Sequence, residues 1–377
     1  MRTATATAAA VTTSLLGAGL AAVLAGRHAA AAALRPHPDR PLPDGARLTV
    51  HAVDGRRILL TRSLASRLPG VYGLRGPGLA GAVGPPLPAD PEDPPHTVAR
   101  ELLRVTEGRP AVGDLVTLTA PVHTGDPTTA LGLPHRELTI PGELGPLPAW
   151  LVPGPRDTWV IAVHGLGADR TQALALVPLL HALRLPVLLP AYRGDLGAPP
   201  SPDGLSHLGE SEWRDLDAAV RHALREGARR VILLGLSTGA TMALRLTENS
   251  PLADRVVGLV LDSPVLDWHT TLRALAAADG VPAAVLPLAV RAAEGRAGLR
   301  VDRPPAGAPP AALRVPTLIT ASPDDTLAPW EAGRRLAASR PHLVTWRPVP
   351  HAAHAALWNA DPEGYEETLR RFLVPLL

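Results

Sequence analysis

The sequence predicts an α/β protein whose main domain is a doubly wound, mostly parallel sheet, preceded by a β-rich extension. Three observations predict this class. Short apolar runs without polar alternation recur from residue 138 onwards, and segments with helical spacing lie between them. In the preceding region, apolar and polar residues alternate. Continuous apolar runs suit strands that are buried on both faces of a parallel sheet. Strands that alternate with helices indicate a sheet covered by helices on both sides.

Six apolar runs are the predicted strands of the main domain, residues 138–377. They lie at residues 159–163, 185–189, 231–234, 256–261, 316–320 and 344–349. A helix is predicted where Trp213 and Leu216 begin a helical repeat, with Ser211 as its N-cap. Asp361 directly before Pro362 predicts the start of the last helix.

Residues 35–137 predict a β-rich extension with Pro-rich linkers. Alternating segments at 46–53 and 57–62 flank Asp54-Gly55, which predicts a hairpin. Residues 76–81 fit the glycine pattern of a dinucleotide site. That pattern needs a helix immediately afterwards, whereas Pro85 and Pro86 follow here, so we predict a loop.

The first 34 residues predict a signal anchor or signal peptide. Residues 7–26 form an uncharged apolar run that is long enough to span a bilayer. An anchor, a cleaved signal with a small-residue site at 29–33, and an alanine-rich soluble tail all remain open. We expect membrane association through residues 7–26 and a membrane-anchored or exported protein of the cell envelope. Arginines on both flanks leave the side of the membrane open.

Composition excludes several classes of function. The 377 residues are 46% hydrophobic and 19% charged, which predicts a folded chain with a large core. The net charge is +2 and the arginines form no long stripe, so no nucleic-acid partner is expected. The absence of cysteine excludes disulfides, thiolate metal sites and a cysteine nucleophile.

A G-x-S-x-G motif predicts a serine nucleophile. Gly235, Ser237 and Gly239 follow the predicted strand 231–234 and precede a helical segment, which is the setting of a nucleophile elbow. A helix N-terminus beside the serine favours developing negative charge. A structural serine in a tight turn is the alternative.

With this motif, the chain resembles the α/β-hydrolase superfamily of esterase-like and lipase-like serine hydrolases. It is also similar to uncharacterised bacterial hydrolases with an N-terminal apolar segment. His164-Gly165-Leu166-Gly167 after a strand resembles the oxyanion loop of the family. The resemblance implies that the backbone N–H groups of Leu166 and Thr238 form the oxyanion hole, while His164 shapes the loop.

The resemblance also implies the acid and the base. Asp325 is the acid when the segment after the strand at 316–320 is aligned without a gap. Asp324 is the competitor, because Ala321-Ser322 stands where the family has His-Gly. His354 is the base, with His351 as its competitor. The order serine, acid, histidine is the one that this fold uses.

Four further residues are implied to line the cleft: Tyr192, Asp195, Trp268 and Trp358. Satisfied turns and packed tryptophans are the alternative, and residues 271–314 are long enough for a small helical cap. The prediction is therefore a serine hydrolase that cleaves a small-molecule ester through an acyl-enzyme. No cofactor or metal is expected. An acyltransferase and a non-catalytic binding protein remain alternatives, and the substrate and oligomeric state stay open.

Overall fold

The N-terminal strands close into a barrel. We describe a computed structural model over residues 24, 26–36, 45–278, 280–296 and 313–377. The barrel consists of β1 (Leu48–Asp54), β2 (Arg57–Thr61), β3 (Tyr72–Gly76), β4 (Leu79–Pro86), β5 (Thr97–Glu107) and β6 (Leu115–Thr119). The order is β1-β2-β5-β4-β3-β6, and β6 pairs antiparallel with β1 to complete the closure. Buried Val50, Ile58 and Leu74 contribute to its core.

Two turn predictions fall in this barrel. The predicted hairpin at Asp54-Gly55 is confirmed, because it joins the antiparallel strands β1 and β2. No helix follows residues 76–81, as predicted. These residues are not an irregular loop, however. They form the tight turn of the β3–β4 hairpin and the strand ends beside it.

The main domain is built on a mixed sheet. The described residues contribute β7 (Arg136–Pro141), β8 (Pro146–Val152), β9 (Thr158–Val163), β10 (Val187–Pro190), β11 (Arg230–Leu236), β12 (Val256–Asp262), β13 (Thr317–Ala321) and β14 (Val344–Pro348). The order is β14-β13-β12-β11-β9-β10-β8-β7. The six strands from β9 to β14 are parallel and match the six predicted runs, while β7 and β8 form an antiparallel edge. The sheet begins at Arg136, against an expected start at residue 138.

Helices cover both faces of this sheet. With the helix at residues 26–34 as α1, the other described helices are α2 (Pro127–Leu131), α3 (Val177–Ala182), α4 (Trp213–Arg225), α5 (Thr238–Asn249), α6 (Trp268–Ala278), α7 (Leu286–Arg296), α8 (Trp330–Ser339), α9 (Leu357–Ala360) and α10 (Pro362–Leu373). One apolar cluster joins α4, α5 and α8 to the sheet. A second joins α3, α9 and α10 to the opposite face, which gives the doubly wound arrangement.

The two helix starts predicted from capping residues differ in outcome. Asp361 caps α10 as predicted, because its carboxylate accepts a hydrogen bond from Gly364 N at 3.0 Å. The prediction for Ser211 was wrong, because Glu212 occupies the N-cap position of α4 and no side chain caps the helix. The buried Glu212 carboxylate instead accepts hydrogen bonds from the backbone N–H groups of His207 (2.7 Å) and Gly209 (3.1 Å). Glu212 therefore fixes the loop that precedes α4.

A helix at residues 26–34 packs on the cap region formed by α6 and α7. Ala30, Ala33 and Leu34 are buried in one apolar cluster with Leu272 and Val290. The small residues at 29–33 belong to this packed helix. Most of the apolar run at 7–26 lies outside the described residues. Among the helices that are described, none has the length and apolar character needed to cross a bilayer.

Candidate active site

Ser237 occupies a strained turn between a strand and a helix. It stands between the end of β11 and the start of α5, with φ 55° and ψ −117°. A side chain at positive φ costs free energy and persists only where the surroundings enforce it. Here Ser237 N donates a hydrogen bond to the carbonyl of Asp262 at 2.8 Å. A Cβ at Gly235 would lie 2.4 Å from Ala240 N, so glycine is required beside this turn.

A chain of two hydrogen bonds joins Ser237 to a buried carboxylate. His354 Nε2 lies 2.7 Å from Ser237 Oγ, and His354 Nδ1 lies 2.7 Å from Asp325 Oδ2. The other Asp325 oxygen accepts hydrogen bonds from Leu327 N at 2.8 Å and Ala328 N at 2.9 Å. The Asp325 side chain is only 1% exposed. The structure thus brings the predicted serine, histidine and acid together in the expected order.

The competing acid and histidine lie outside this chain. Asp324 Oδ2 accepts a hydrogen bond from His351 N at 2.7 Å. Both side chains are largely exposed, 54% for Asp324 and 77% for His351. The structure places this pair on the surface of the same loops, facing solvent rather than Ser237.

The loop after β9 passes directly against the serine. A Cβ at Gly165 would lie 2.7 Å from Ser237 Cβ, so only glycine allows this approach. The loop is held by a hydrogen bond from Gly165 N to Gln172 Oε1 at 2.9 Å. Leu166 follows on this loop, and Thr238 is the first residue of α5. A backbone N–H in the first turn of a helix has no acceptor within that helix, so Thr238 N is available to a ligand.

Asp195 and Tyr192 hold His164, the first residue of this loop, in place. Its Nε2 lies 2.9 Å from Asp195 Oδ2, and its Nδ1 lies 3.0 Å from the Gly165 carbonyl. The imidazole stacks on Tyr192 with ring centroids 4.6 Å apart. Burial lowers the pKa of His164, but the Asp195 carboxylate outweighs it and raises that pKa above its ordinary value. The structure therefore places Tyr192 and Asp195 around the loop histidine.

The two predicted tryptophans differ in position. Trp268 begins α6 and packs against the apolar cap cluster that also includes Leu166 and Leu327. Trp358 packs instead against the core cluster beneath α10 and donates a hydrogen bond to Glu366 Oε1 at 3.0 Å. Trp268 thus packs beside Leu166 of the loop after β9, whereas Trp358 has the packed role that the sequence also allowed.

Sequence reasoning missed a buried network around Asp262. Its carboxylate accepts hydrogen bonds from Tyr365 Oη at 2.8 Å and from Ser263 Oγ at 2.9 Å. Ser263 Oγ in turn accepts a hydrogen bond from Ala355 N at 3.1 Å, next to the histidine. Burial raises the pKa of Asp262 to about 6. The Asp262 carbonyl also accepts the hydrogen bond from Ser237 N. Asp262 therefore connects the turn at Ser237 with the loop that carries His354. Its place at the end of an apolar strand was the available signal.

The described residues include no group of three or more His, Cys, Asp or Glu side chains arranged to hold a metal ion.

Comparison with solved structures shows that the chain shares its overall fold with known esterase structures. Two crystal forms of the esterase Pf2001 from Pyrococcus furiosus superpose with TM-scores of 0.55 and 0.54, at 19% and 20% identity. The alignments cover 67% and 66% of this chain and 94% and 93% of the esterase. At this identity, the likeness shows the fold. Residues 49–119, within the barrel, match a domain of unknown function, DUF8805. A search of curated proteins finds no match.

Proposed function

We propose that the protein is a serine hydrolase that cleaves carboxylic esters through an acyl-enzyme. The observation that carries this proposal is the hydrogen-bonded chain from Ser237 Oγ through His354 to Asp325, with 2.7 Å at each step. An imidazole in hydrogen-bond contact with a serine on one side and a buried carboxylate on the other is the arrangement that activates a serine nucleophile.

Each of the three side chains has one role in the proposed reaction. Ser237 Oγ attacks the ester carbonyl while His354 Nε2 accepts its proton. The imidazolium then protonates the leaving alcohol, and a water molecule activated by His354 hydrolyses the acyl-serine. Asp325 orients the ring through Nδ1 and stabilises its positive charge during each step. Two backbone N–H bonds already fix this carboxylate, so little reorganisation is needed when the charge develops.

The oxyanion of the tetrahedral intermediate is assigned to the backbone N–H groups of Leu166 and Thr238. Support comes from the close approach of Gly165 to Ser237, which brings the loop to the attacked carbonyl. One such donor lowers the barrier by about 2.7–4 kcal/mol. His164, Tyr192 and Asp195 are positioning residues, because they contact the loop rather than the reacting atoms.

The cap cluster supports an apolar substrate group. Trp268 and Leu272 pack in the same cluster as Leu166, which carries a proposed oxyanion donor, and Leu327, which lies two residues after the proposed acid. An apolar acyl or alcohol group beside this cluster would gain about 25 cal/mol for each Å² of buried surface. Trp268 is the proposed wall of the substrate site.

Paired carboxamide substitutions test the proposal. Asp325→Asn is expected to lower kcat for p-nitrophenyl esters by a factor on the order of 10⁴, because the amide cannot hold the imidazole in the required tautomer. Asp324→Asn is the matched control, since it makes the same change at the adjacent, exposed position, and its kcat is expected to stay within about threefold of wild type. Equal effects of the two variants would contradict the assignment, as would hydrolysis that persists in Ser237→Ala.

A further inference from the structure

A cavity lies between the barrel and the main domain. Its volume is about 630 Å³, which is within the range of small-molecule sites. The barrel lines it with Arg75, Thr117 and Thr119, and the main domain lines it with Gly167 and Ala168. The cavity is therefore formed only when the two parts of the chain are in contact. Neither Ser237 nor His354 is among its lining residues.

An incompletely paired guanidinium points into this region. Arg75 Nη2 donates one hydrogen bond to the carbonyl of His123 at 3.2 Å, and Arg75 forms no ion pair with another described residue. Burial lowers the pKa of Arg75, and the nearby Asp169 and Glu107 carboxylates offset only part of this effect. A buried charge without an opposite charge is costly, so buried guanidinium groups are usually paired.

The remaining titratable groups leave the cavity positive. Arg47 also lines it and is exposed at its rim. Burial, helped by the nearby Arg104, lowers the pKa of His123 to about 4, so this imidazole is neutral near pH 7. Asp169 is the acidic residue of the lining, and its Oδ1 accepts a hydrogen bond from Thr171 N at 2.8 Å. Two guanidinium groups thus line the cavity with one carboxylate, Asp169, which is already engaged, while the Glu107 carboxylate acts on Arg75 from outside the lining.

We propose that this cavity binds a small organic anion whose carboxylate or phosphate group pairs with Arg75 and Arg47. The planar fork of arginine matches both groups with two parallel hydrogen bonds. Thr117 adds a hydroxyl donor, and Pro77 and Leu115 supply apolar contacts for the body of the ligand. The barrel, including the segment matched by DUF8805, would then be a ligand-binding module.

Binding in the cavity is coupled to the candidate active site through one loop. Gly167 and Ala168 line the cavity and directly follow Leu166, the proposed oxyanion donor. A ligand that contacts them restricts this loop and changes the rate of ester cleavage. This coupling rests on the proposed function, whereas binding itself does not.

Calorimetric titration of the full chain with four hexyl compounds tests the site. Hexyl phosphate, hexanoate, 1-hexanol and hexyltrimethylammonium share one apolar chain and differ in head group. We expect one anion to bind per chain. The relative affinities of hexyl phosphate and hexanoate then show whether the site prefers a phosphate or a carboxylate group. Arg75→Gln is expected to weaken anion binding by about tenfold or more. Arg56→Gln, which removes an exposed barrel charge beside Glu101, is expected to leave it unchanged.

Arg47→Gln keeps the test decisive if Arg75→Gln unfolds, because Arg47 is exposed and its replacement disturbs no described hydrogen bond. Weaker binding of the anions by Arg47→Gln, with an unchanged melting temperature, supports the site. Three results would overturn it: no binding of either anion, equal binding of hexanol, or equal loss of affinity in Arg56→Gln. Anion binding that a fluorophosphonate on Ser237 abolishes, but that Arg75→Gln and Arg47→Gln leave unchanged, would place the anion in the active site and would also overturn the proposal.

Discussion

Replacing Asp262 with asparagine is expected to remove a pH dependence of stability between about pH 4 and pH 6. Burial raises the pKa of this carboxyl from an ordinary 3.8 to about 6 in the folded state. The folded protein therefore binds a proton in a pH range where the unfolded chain has released it. Stability from this group is complete below about pH 4 and is lost as the pH rises through about 6.

The size of the effect follows from the same pKa values. A tenfold change in proton affinity corresponds to about 1.4 kcal/mol, so the rise from 3.8 to about 6 corresponds to a loss of about 3 kcal/mol above pH 6. Asparagine has nearly the same shape and carries no charge at any pH. It still accepts one of the two hydrogen bonds that Tyr365 and Ser263 donate to the carboxylate.

Urea unfolding of wild type and Asp262→Asn at several pH values from 4 to 8 measures this loss of stability. The free energy of unfolding of the variant, relative to wild type, is expected to increase by about 3 kcal/mol from pH 4 to pH 7. Asp254→Asn, at an exposed position, is the control and is expected to show a constant difference. Parallel stability curves for wild type and Asp262→Asn would refute the reasoning.

Three further predictions concern packing around the site. Gly239→Ala places a Cβ 2.4 Å from the carbonyl oxygen of Val163, so we expect ester hydrolysis to fall about 100-fold or more, and wild-type turnover would contradict the steric argument. Tyr365→Phe leaves a buried carboxylate oxygen without its donor and should cost about 1–3 kcal/mol in urea unfolding, a penalty that an unchanged midpoint would rule out. Leu34→Ala should cost about 2–5 kcal/mol because Leu34 is fully buried, while the exposed Leu24→Ala should cost little; equal costs would show that residues 26–34 do not pack as described.

Local sequence patterns predicted the elements that local physics determines. The strands β9 to β14 are apolar on both faces, so their sequences are continuous apolar runs that identify them without any knowledge of their partners. The turn at Ser237 was equally visible, because glycines are required on both sides of it by close approaches to the neighbouring backbone. The residues of the hydrogen-bonded chain follow from that turn and from the resemblance to the family.

Long-range contacts account for what the sequence did not predict. Closure of the barrel depends on β6 pairing with β1 across the whole extension, and no local periodicity encodes that pairing. The bond between Asp262 and Tyr365 joins residues 103 positions apart. Glu212 looks like an ordinary first-turn acid in the sequence, yet the fold directs its carboxylate into a loop. The helix at 26–34 is recognised only through its partners in the cap region.

Mass spectrometry of the intact protein after reaction with a fluorophosphonate tests the central claim most directly. We expect one adduct per chain, located by peptide mapping on Ser237, and none in Ser237→Ala. Asp325→Asn should label much more slowly than Asp324→Asn, because the reagent depends on the same activated hydroxyl. A folded protein that remains unlabelled, or that is labelled at another residue, would contradict the assignment of Ser237 as the nucleophile.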